Sequence, residues 1–163
     1  MYEDVRLNSP PVRAAERKAA YGQRLKFATL NCRSIQKAGM HPQVERYMEE
    51  RNIAIMCLQE TKVAHTTQYV VGDLTYALHG HGRDQVEHAG VGFVIRPDIR
   101  PLITGLELDE EGIIMLMGID LAPRRLTLIT AYMPQSNRPD LERAETYERL
   151  EKIVTRAANK GRS

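Results

Sequence analysis

The chain has 163 residues, 42% of them hydrophobic and 27% charged, and this composition predicts one globular domain and argues against a disordered or membrane-spanning chain. Lysine and arginine total 23 against 21 aspartates and glutamates, so the net charge of +2 permits nucleic-acid binding without arguing for it. The two cysteines have no repeated spacing that would indicate a disulfide scaffold or a zinc finger, and no segment resembles a signal peptide. We therefore expect an intracellular protein, nuclear or cytoplasmic, without a membrane partner.

The first third of the chain predicts a leader, a strand and a helix. Residues 1–23 mix prolines with charged residues and alanines and offer little to bury, so we expect a mobile leader. The sequence RLKFATLN at 24–31 predicts a largely buried strand that ends at Asn31. A helix is expected at about 41–51, because apolar residues recur there at i, i+3 and i+4. These apolar residues are Val44, Tyr47 and Met48.

The sequence IAIMCLQETK at 53–62 joins an apolar run to four polar residues. The apolar run is too short for an isolated core helix and predicts a strand that is buried on both faces. Strand, helix and strand in this order predict a parallel pair, which brings Asn31 and Glu60 to the same edge of the sheet. In open α/β sheets, ligands and catalytic groups collect at that edge.

The rest of the chain predicts more strands and a final helix. Strands are expected at about 73–79, 89–96, 112–119 and 125–132, separated by turn-forming glycine, proline and acidic residues. The segment 139–160 predicts an amphipathic helix whose apolar stripe is buried. The stripe comprises Leu141, Ala144, Tyr147, Leu150, Val154 and Ala157.

The polar residues after the second predicted strand suggest an oxygen-ligand site for a cation. Mg²⁺ favours few protein ligands together with water and substrate phosphate, and Glu60 beside Asn31 fits that preference. Gln59 could orient the neighbourhood, and Lys62 could neutralise a phosphate. An ordinary solvated strand end is the competing interpretation, and the spacing taken alone favours it.

Three further groups of residues allow a functional and a structural interpretation. A histidine group could bind a transition metal, although surface residues explain it better, and an acidic group could bind a cation or form a solvated turn. The first group is His79, His81 and His88, and the second is Asp109, Glu110 and Glu111. Buried packing is the expected role of Cys32 and Cys57, because no histidine is tied to either thiol by a motif.

Four motifs occur in a fixed order along the chain: LNCRS at 30–34, CLQETK at 57–62, HAGVGFVI at 88–95 and AYMPQS at 131–136. Together they resemble the endonuclease/exonuclease/phosphatase superfamily, the group of apurinic-site endonucleases, DNase I-like nucleases and LINE-type retrotransposon endonucleases. The resemblance covers about residues 24–160, and the Gln-Glu-Thr-Lys block is its most specific part. It implies a DNase I-like α/β sandwich of two mixed β-sheets flanked by helices.

The resemblance also implies roles for individual residues. Glu60 is expected to bind the metal, which is Mg²⁺ or Mn²⁺, and Asn31 is expected to help hold metal and phosphate. Tyr132 of the Tyr-x-Pro motif is expected to contact the scissile phosphate, with Lys62 and Gln135 among the phosphate-binding residues. From the residues alone, an alternating strand delivers Tyr132 to the sheet edge, and the proline that follows ends the pairing.

The chain departs from the family pattern at several positions. Arg33 stands where the apurinic branch often has an acidic residue, and Gln135 stands where it often has Asn. The family's Gly-Asp-x-Asn strand and Ser-Asp-His segment, which position the phosphate and the attacking water, have no counterpart before Ser163. Residues 24–163 are therefore expected to be the N-terminal portion of such a domain.

The resulting functional prediction is a truncated, metal-dependent phosphodiesterase domain related to endonucleases that hydrolyse DNA. The alternatives are a catalytically silent remnant, a module that binds nucleic acid or protein, and a phosphatase acting on phosphoinositide-type substrates. DNA is the expected partner, and self-association or a complementing chain is expected at an uncovered sheet edge.

Overall fold

A computed structural model describes residues 3–5, 24–80 and 90–160 of the chain. In chain order its strands are β1 (Glu3–Val5), β2 (Lys26–Asn31), β3 (Ile53–Gln59), β4 (Thr67–Val71), β5 (Leu74–His79), β6 (Val91–Ile95), β7 (Ile103–Leu108), β8 (Ile114–Leu121) and β9 (Arg124–Ala131). The described helices are α1 (Met40–Arg51) and α2 (Asp140–Lys160), and a short 3-10 helix at Arg100–Leu102 precedes β7.

The strands form two sheets that pack face to face, with α1 on the outer face of one sheet and α2 on the outer face of the other. One sheet has the order β2-β3-β6-β5-β4, in which only β2 and β3 are parallel. The other has the order β1-β7-β8-β9 and is antiparallel throughout. The predicted α/β sandwich is confirmed, and only its five-stranded sheet is mixed.

The parallel pair β2 and β3 confirms the strand-helix-strand prediction. Asn31 at the end of β2 lies opposite Gln59 at the end of β3, so both strands finish at the same edge. Helix α1 connects them and packs on the sheet through Val44 and Met48, which are buried as the apolar spacing predicts. This geometry brings the polar residues after both strands together.

The degree of burial predicted for β2 is wrong. Residues 24–31 were expected to be largely buried, but the strand alternates between exposed and partly buried side chains, and Phe27 is 39% exposed. The reason is its place in the sheet, because β2 is the outermost strand on its side. Phe27 and Thr29 share the face that looks toward the second sheet, which covers β2 poorly.

Besides β1, which falls in the predicted leader, strands β4 and β7 have no counterpart in the sequence prediction. Strand β4 is a short edge strand with mostly exposed side chains, so it carries little of the alternation that marks a half-buried strand. Strand β7 contains Gly105 at a shift in its pairing with β8, which interrupts its apolar pattern. Both lack the local signal on which strand prediction depends.

Helix α2 confirms the predicted helix, but only part of its apolar stripe faces the sheet, where Ala157 packs against a buried cluster. Leu141, Tyr147 and Val154 of the expected apolar stripe are 71%, 60% and 47% exposed. The helix instead packs through Thr146 and Ile153, which are buried. Ile153 packs in an apolar cluster with β8. The buried face is therefore centred on Thr146 and Ile153, which immediately precede Tyr147 and Val154 of the predicted stripe.

Charged residues of α2 contribute to that orientation, in addition to the burial of Ile153. Arg149 pairs with Glu111 at 2.8 Å, and Lys160 pairs with Glu107 at 2.8 Å. Arg156 also pairs with Glu107. These side chains lie beside the Ile153 face and reach strand ends of the four-stranded sheet, so they favour this face against the sheet over the more apolar one.

The predicted leader is only partly described. Glu3–Val5 form β1 and pair with β7, so these three residues are a strand rather than loose chain. The remainder of residues 1–23 lies outside the described part of the protein. Within the described residues, no helix has the length and apolarity needed to cross a membrane.

The histidine and acidic groups are partly buried rather than on the surface. His79 is 6% exposed, and its ring nitrogens bond the Thr66 hydroxyl at 2.9 Å and the Asp109 carbonyl oxygen at 2.7 Å. The Asp109 carboxylate, also buried, accepts hydrogen bonds from the amides of Ile113 and Ile114. Both side chains therefore anchor the β7–β8 turn. The expectation of surface residues is wrong for His79, and Asp109 is buried, whereas Glu110 and Glu111 are exposed as a solvated turn predicts. His81 and His88 lie outside the described residues.

Candidate active site

A cleft of about 550 Å³ opens between the two sheets at the edge where β3 and β9 end. One wall carries residues from β2, β3 and the turn after β3, and the other carries the end of β9 and the turn that follows it. The lining residues are Thr29, Asn31, Cys57, Gln59, Glu60, Ile129, Thr130, Ala131, Tyr132, Met133 and Gln135. The cleft therefore joins parts of the chain that are far apart in sequence.

Asn31 and Glu60 contact each other directly in this cleft. The Asn31 side-chain amide donates a hydrogen bond of 2.8 Å to Glu60 Oε1. Glu60 follows β3 with a φ of 52°, a left-handed conformation that interrupts the alternation of the strand. Because of this turn, the Glu60 side chain meets Asn31 rather than pointing to the opposite face beside α1.

The turns after β2 and β3 are joined by backbone hydrogen bonds. The amides of Cys32 and Ser34 donate to the carbonyl oxygens of Gln59 and Glu60, at 3.0 and 2.8 Å. Of the five described non-glycine residues with positive φ, four lie in these two turns, namely Arg33, Ser34, Glu60 and Lys62. Such conformations are costly and cluster where a site must hold side chains in a fixed place, so they favour a functional interpretation of this edge.

Tyr132 approaches the same cleft from the second sheet. Its amide donates a 2.8 Å hydrogen bond to the Ile113 carbonyl oxygen, so the strand pairing extends to this residue. Burial and the nearby Glu60 carboxylate raise the pKa of the Tyr132 phenol above its ordinary value, while Arg138 and a hydrogen bond with Gln135 offset part of that rise. The phenol therefore stays protonated near neutral pH and can donate a hydrogen bond to an anion in the cleft.

A line of polar side chains crosses the floor of the cleft. The Thr29 hydroxyl donates to Gln59 Oε1 at 3.0 Å, and Gln59 Nε2 donates to the Thr130 hydroxyl at 3.0 Å. The Thr130 hydroxyl in turn donates to the Leu58 carbonyl oxygen at 3.0 Å. Gln59 thus links both sheets through its side-chain amide. The sequence predicts that Gln59 orients its neighbours, and these hydrogen bonds are the contacts through which it could do so.

The two cysteines behave as packed thiols. Burial raises the pKa of Cys57 to about 11, which leaves very little thiolate near neutral pH. Burial also raises the pKa of Cys32, whose thiol donates to the Gln59 carbonyl oxygen at 3.3 Å. Neither environment generates a nucleophile, in agreement with the structural role expected from the sequence.

The structure brings most of the predicted site residues together and adds others. Asn31, Gln59, Glu60, Tyr132 and Gln135 line the cleft. Lys62 lies just beyond it, close enough to Cys32 for its ammonium to lower the thiol pKa slightly against the larger effect of burial. The functional roles of all six residues stay predictions.

Sequence reasoning missed Thr130 and Arg138. The available signal for Thr130 was the alternation in LTLITAYM, which places its side chain on the same face of β9 as Tyr132. Arg138, which acts electrostatically on Tyr132, follows in a turn and carries no local signal.

The cleft fits an oxygen-ligated cation only in part. Within the described residues no group of three or more His, Cys, Asp or Glu side chains could hold a metal ion. Mg²⁺, however, is commonly bound through one or two carboxylates with several waters and substrate phosphates. Glu60 can supply one such carboxylate. Its Oε1 atom accepts a hydrogen bond from the Asn31 side-chain amide.

Comparison with known proteins identifies the fold. No protein-family model matches the sequence, and a search of curated proteins found no significant match. The crystal structure of AP endonuclease LMAP from Leishmania major matches with a TM-score of 0.54 and 18% sequence identity, over 78% of this chain and 54% of that one. The chain therefore spans about half the length of that endonuclease and has the corresponding part of a DNase I-like α/β fold.

Proposed function

We propose that the chain is the metal- and phosphate-binding portion of a Mg²⁺-dependent phosphodiesterase that acts on DNA. The observation that carries this proposal is the 2.8 Å hydrogen bond between Asn31 and Glu60, in a cleft that Tyr132 enters from the other sheet. An acidic, an amide and a phenolic side chain thus line one cleft between the two sheets, although they come from three different strand ends.

Each of these side chains has a distinct role in the proposal. Glu60 would hold the cation, and Asn31, whose side-chain amide donates to the Glu60 carboxylate, would help to hold metal and phosphate. The cation would offset negative charge on the phosphate in the transition state. Tyr132 would donate its phenolic proton to a phosphate oxygen and so fix its orientation. Gln135 and Lys62 would contribute further phosphate contacts.

DNA is the proposed substrate class because the structural neighbour is an AP endonuclease. The motifs of the sequence resemble the apurinic and retrotransposon branches, which agrees with that choice. We propose an intracellular location for this activity, nuclear or cytoplasmic.

The chain by itself is proposed to bind without appreciable turnover. The described residues that line the cleft include no histidine and no aspartate, so none of them can serve as the His-Asp pair that prepares water for attack. Losing general-base assistance typically lowers a rate by roughly 10² to 10⁴-fold. A second segment or chain would therefore be needed for hydrolysis.

A titration with Mn²⁺ tests the binding half of this proposal. Isothermal calorimetry should detect weak binding to the unmodified chain, and Glu60→Gln should weaken it by about tenfold or more, because loss of the carboxylate charge removes the main ligand. Glu49→Gln, an exposed change on α1, is the matched control and should bind as the unmodified chain does. Equal affinities for all three proteins would refute the assignment of Glu60.

A cleavage assay tests the catalytic half. Supercoiled plasmid and DNA with an abasic site should show no Mg²⁺-dependent cleavage above that of Glu60→Ala. Turnover that EDTA abolishes, and that Glu60→Ala lacks, would show that the chain carries a complete catalytic set.

We also propose that β9 pairs with another chain, a second copy being the simplest. Within the described residues, β9 has a strand neighbour only on its β8 side, so its other edge offers unpaired backbone donors and acceptors. Beside that edge, Thr127 and Ile129 of β9 line a groove with Val154 and Ala157 of α2. The exposed apolar stripe of α2 continues this surface.

A further inference from the structure

The hydrogen-bonded floor of the cleft lies directly beneath the proposed ligands. Gln59 immediately precedes Glu60, and Thr130 precedes Tyr132 by two residues on the same face of β9. Thr29 stands in the same relation to Asn31 on β2. Each side chain of the floor is therefore one or two residues away in sequence from one side chain of the site.

Thr130 is the residue at which this floor crosses from one sheet to the other. Its side chain is 1% exposed, and its hydroxyl accepts from Gln59 Nε2 while it donates to the Leu58 carbonyl oxygen, both at 3.0 Å. A threonine hydroxyl offers one donor, and here the donor and an acceptor position are both used. Valine has nearly the same shape but could satisfy neither partner.

The two bonds of Thr130 join two strands that are not neighbours in a sheet. Gln59 and Leu58 belong to β3, whereas Thr130 belongs to β9 in the facing sheet. Apolar packing also joins the two sheets, and it is less directional than a hydrogen bond. The Thr130 hydroxyl therefore fixes how the two walls of the cleft stand relative to each other.

We infer that Thr130 is a positioning residue of the candidate site, which through Gln59 and Leu58 holds the wall that carries Glu60 in register with the wall that carries Tyr132. The consequence for metal binding rests on the proposed function, whereas the consequence for the separation of Glu60 and Tyr132 does not. Thr130 itself contacts neither metal nor phosphate in this scheme.

The test compares Thr130→Val with Thr130→Ser, which keeps the hydroxyl, and with Thr75→Val as a matched control. Thr75 is a buried strand threonine, 2% exposed, whose hydroxyl accepts a hydrogen bond from Arg100 away from the cleft. Circular dichroism and thermal unfolding first establish that each variant is folded. Two readouts follow: Mn²⁺ affinity by calorimetry, and the pKa of Tyr132 by NMR of ¹³C-labelled tyrosine, assigned with Tyr132→Phe.

Thr130→Val should weaken Mn²⁺ binding by roughly tenfold, the lower end of what loss of a hydrogen bond that supports a metal ligand costs. It should also lower the pKa of Tyr132 toward its ordinary value, because the phenol becomes better hydrated and less close to Glu60. Thr130→Ser and Thr75→Val should leave both quantities within about twofold, or 0.3 pH unit, of the unmodified chain.

The two readouts separate the failure of the inference from that of the proposed function. If the unmodified chain binds no Mn²⁺, the proposed function fails, and the Tyr132 pKa alone decides the role of Thr130. If Thr130→Val leaves the Tyr132 pKa unchanged, or if Thr130→Ser is as impaired as Thr130→Val, the positioning role is overturned.

Discussion

The inner strands of the five-stranded sheet and the edge strand β9 of the four-stranded sheet differ in how completely they are covered. In the five-stranded sheet, β5 and β6 bury every side chain, because α1 and the second sheet cover opposite faces. In the four-stranded sheet, β9 leaves most of its side chains partly or fully exposed. Glu60 therefore follows a strand inside a closed core, whereas Tyr132 follows a strand at an open edge. The wall that carries Glu60 is therefore better packed than the wall that carries Tyr132. We expect the hydrogen bonds between the walls to contribute a larger share of the stability of the Tyr132 wall.

The largest effect is expected from a change in the closed core. Phe93 of β6 is fully buried, so Phe93→Ala should lower the free energy of unfolding by about 3–5 kcal/mol. Leu126→Ala, on β9 where the side chain is only partly buried, should cost about 1 kcal/mol. Urea unfolding followed by circular dichroism measures both values. Similar losses at the two positions would show that β6 and β9 are equally well packed.

An intermediate effect is expected at the turn that supports β9. The Asp109 carboxylate accepts hydrogen bonds from the amides of Ile113 and Ile114, and the Ile113 carbonyl oxygen accepts from Tyr132. Asp109→Ala should therefore lower the free energy of unfolding by about 1–3 kcal/mol, since it leaves buried donors without a partner.

The control for this prediction is Asp73→Ala, in the exposed turn between β4 and β5, which should cost about 0.5 kcal/mol or less. The same urea titration compares both variants. If Asp109→Ala proves as mild as Asp73→Ala, the buried carboxylate does not support the β7–β8 turn.

The smallest effect on stability is expected at the exposed stripe of α2. Val154 is 47% exposed beside the open edge of β9, so Val154→Asp should change the free energy of unfolding by no more than about 0.5 kcal/mol. The same change places a charge in the groove proposed to receive another chain, and it should reduce concentration-dependent self-association in sedimentation velocity. Glu151→Asp, on an exposed position of the same helix, should leave self-association unchanged. A monomeric unmodified chain would refute the pairing of β9 with a second copy.

Local patterns account for most of the fold that the sequence predicts. The apolar run at 53–58 and the spacing of Val44 and Met48 lie within single elements, and both predicted the observed β3 and α1. Helix α2 marks the limit of this reasoning. Its periodicity predicted a helix, but two neighbouring faces were available, and the ion pairs of Arg149 and Lys160 with the sheet favoured the less apolar one.

The sequence by itself determined which residues end β2 and β3, and therefore the proximity of Asn31 and Glu60 at one sheet edge. The order strand, helix, strand in the sequence predicts that β2 and β3 are parallel hydrogen-bonded neighbours, and such strands end at the same edge of the sheet. Only the tertiary structure decided that Thr130 bonds Gln59, because the two residues are 71 positions apart and belong to different sheets. Side-chain packing between sheets depends on all the strands at once, and no pattern within a single strand contains it.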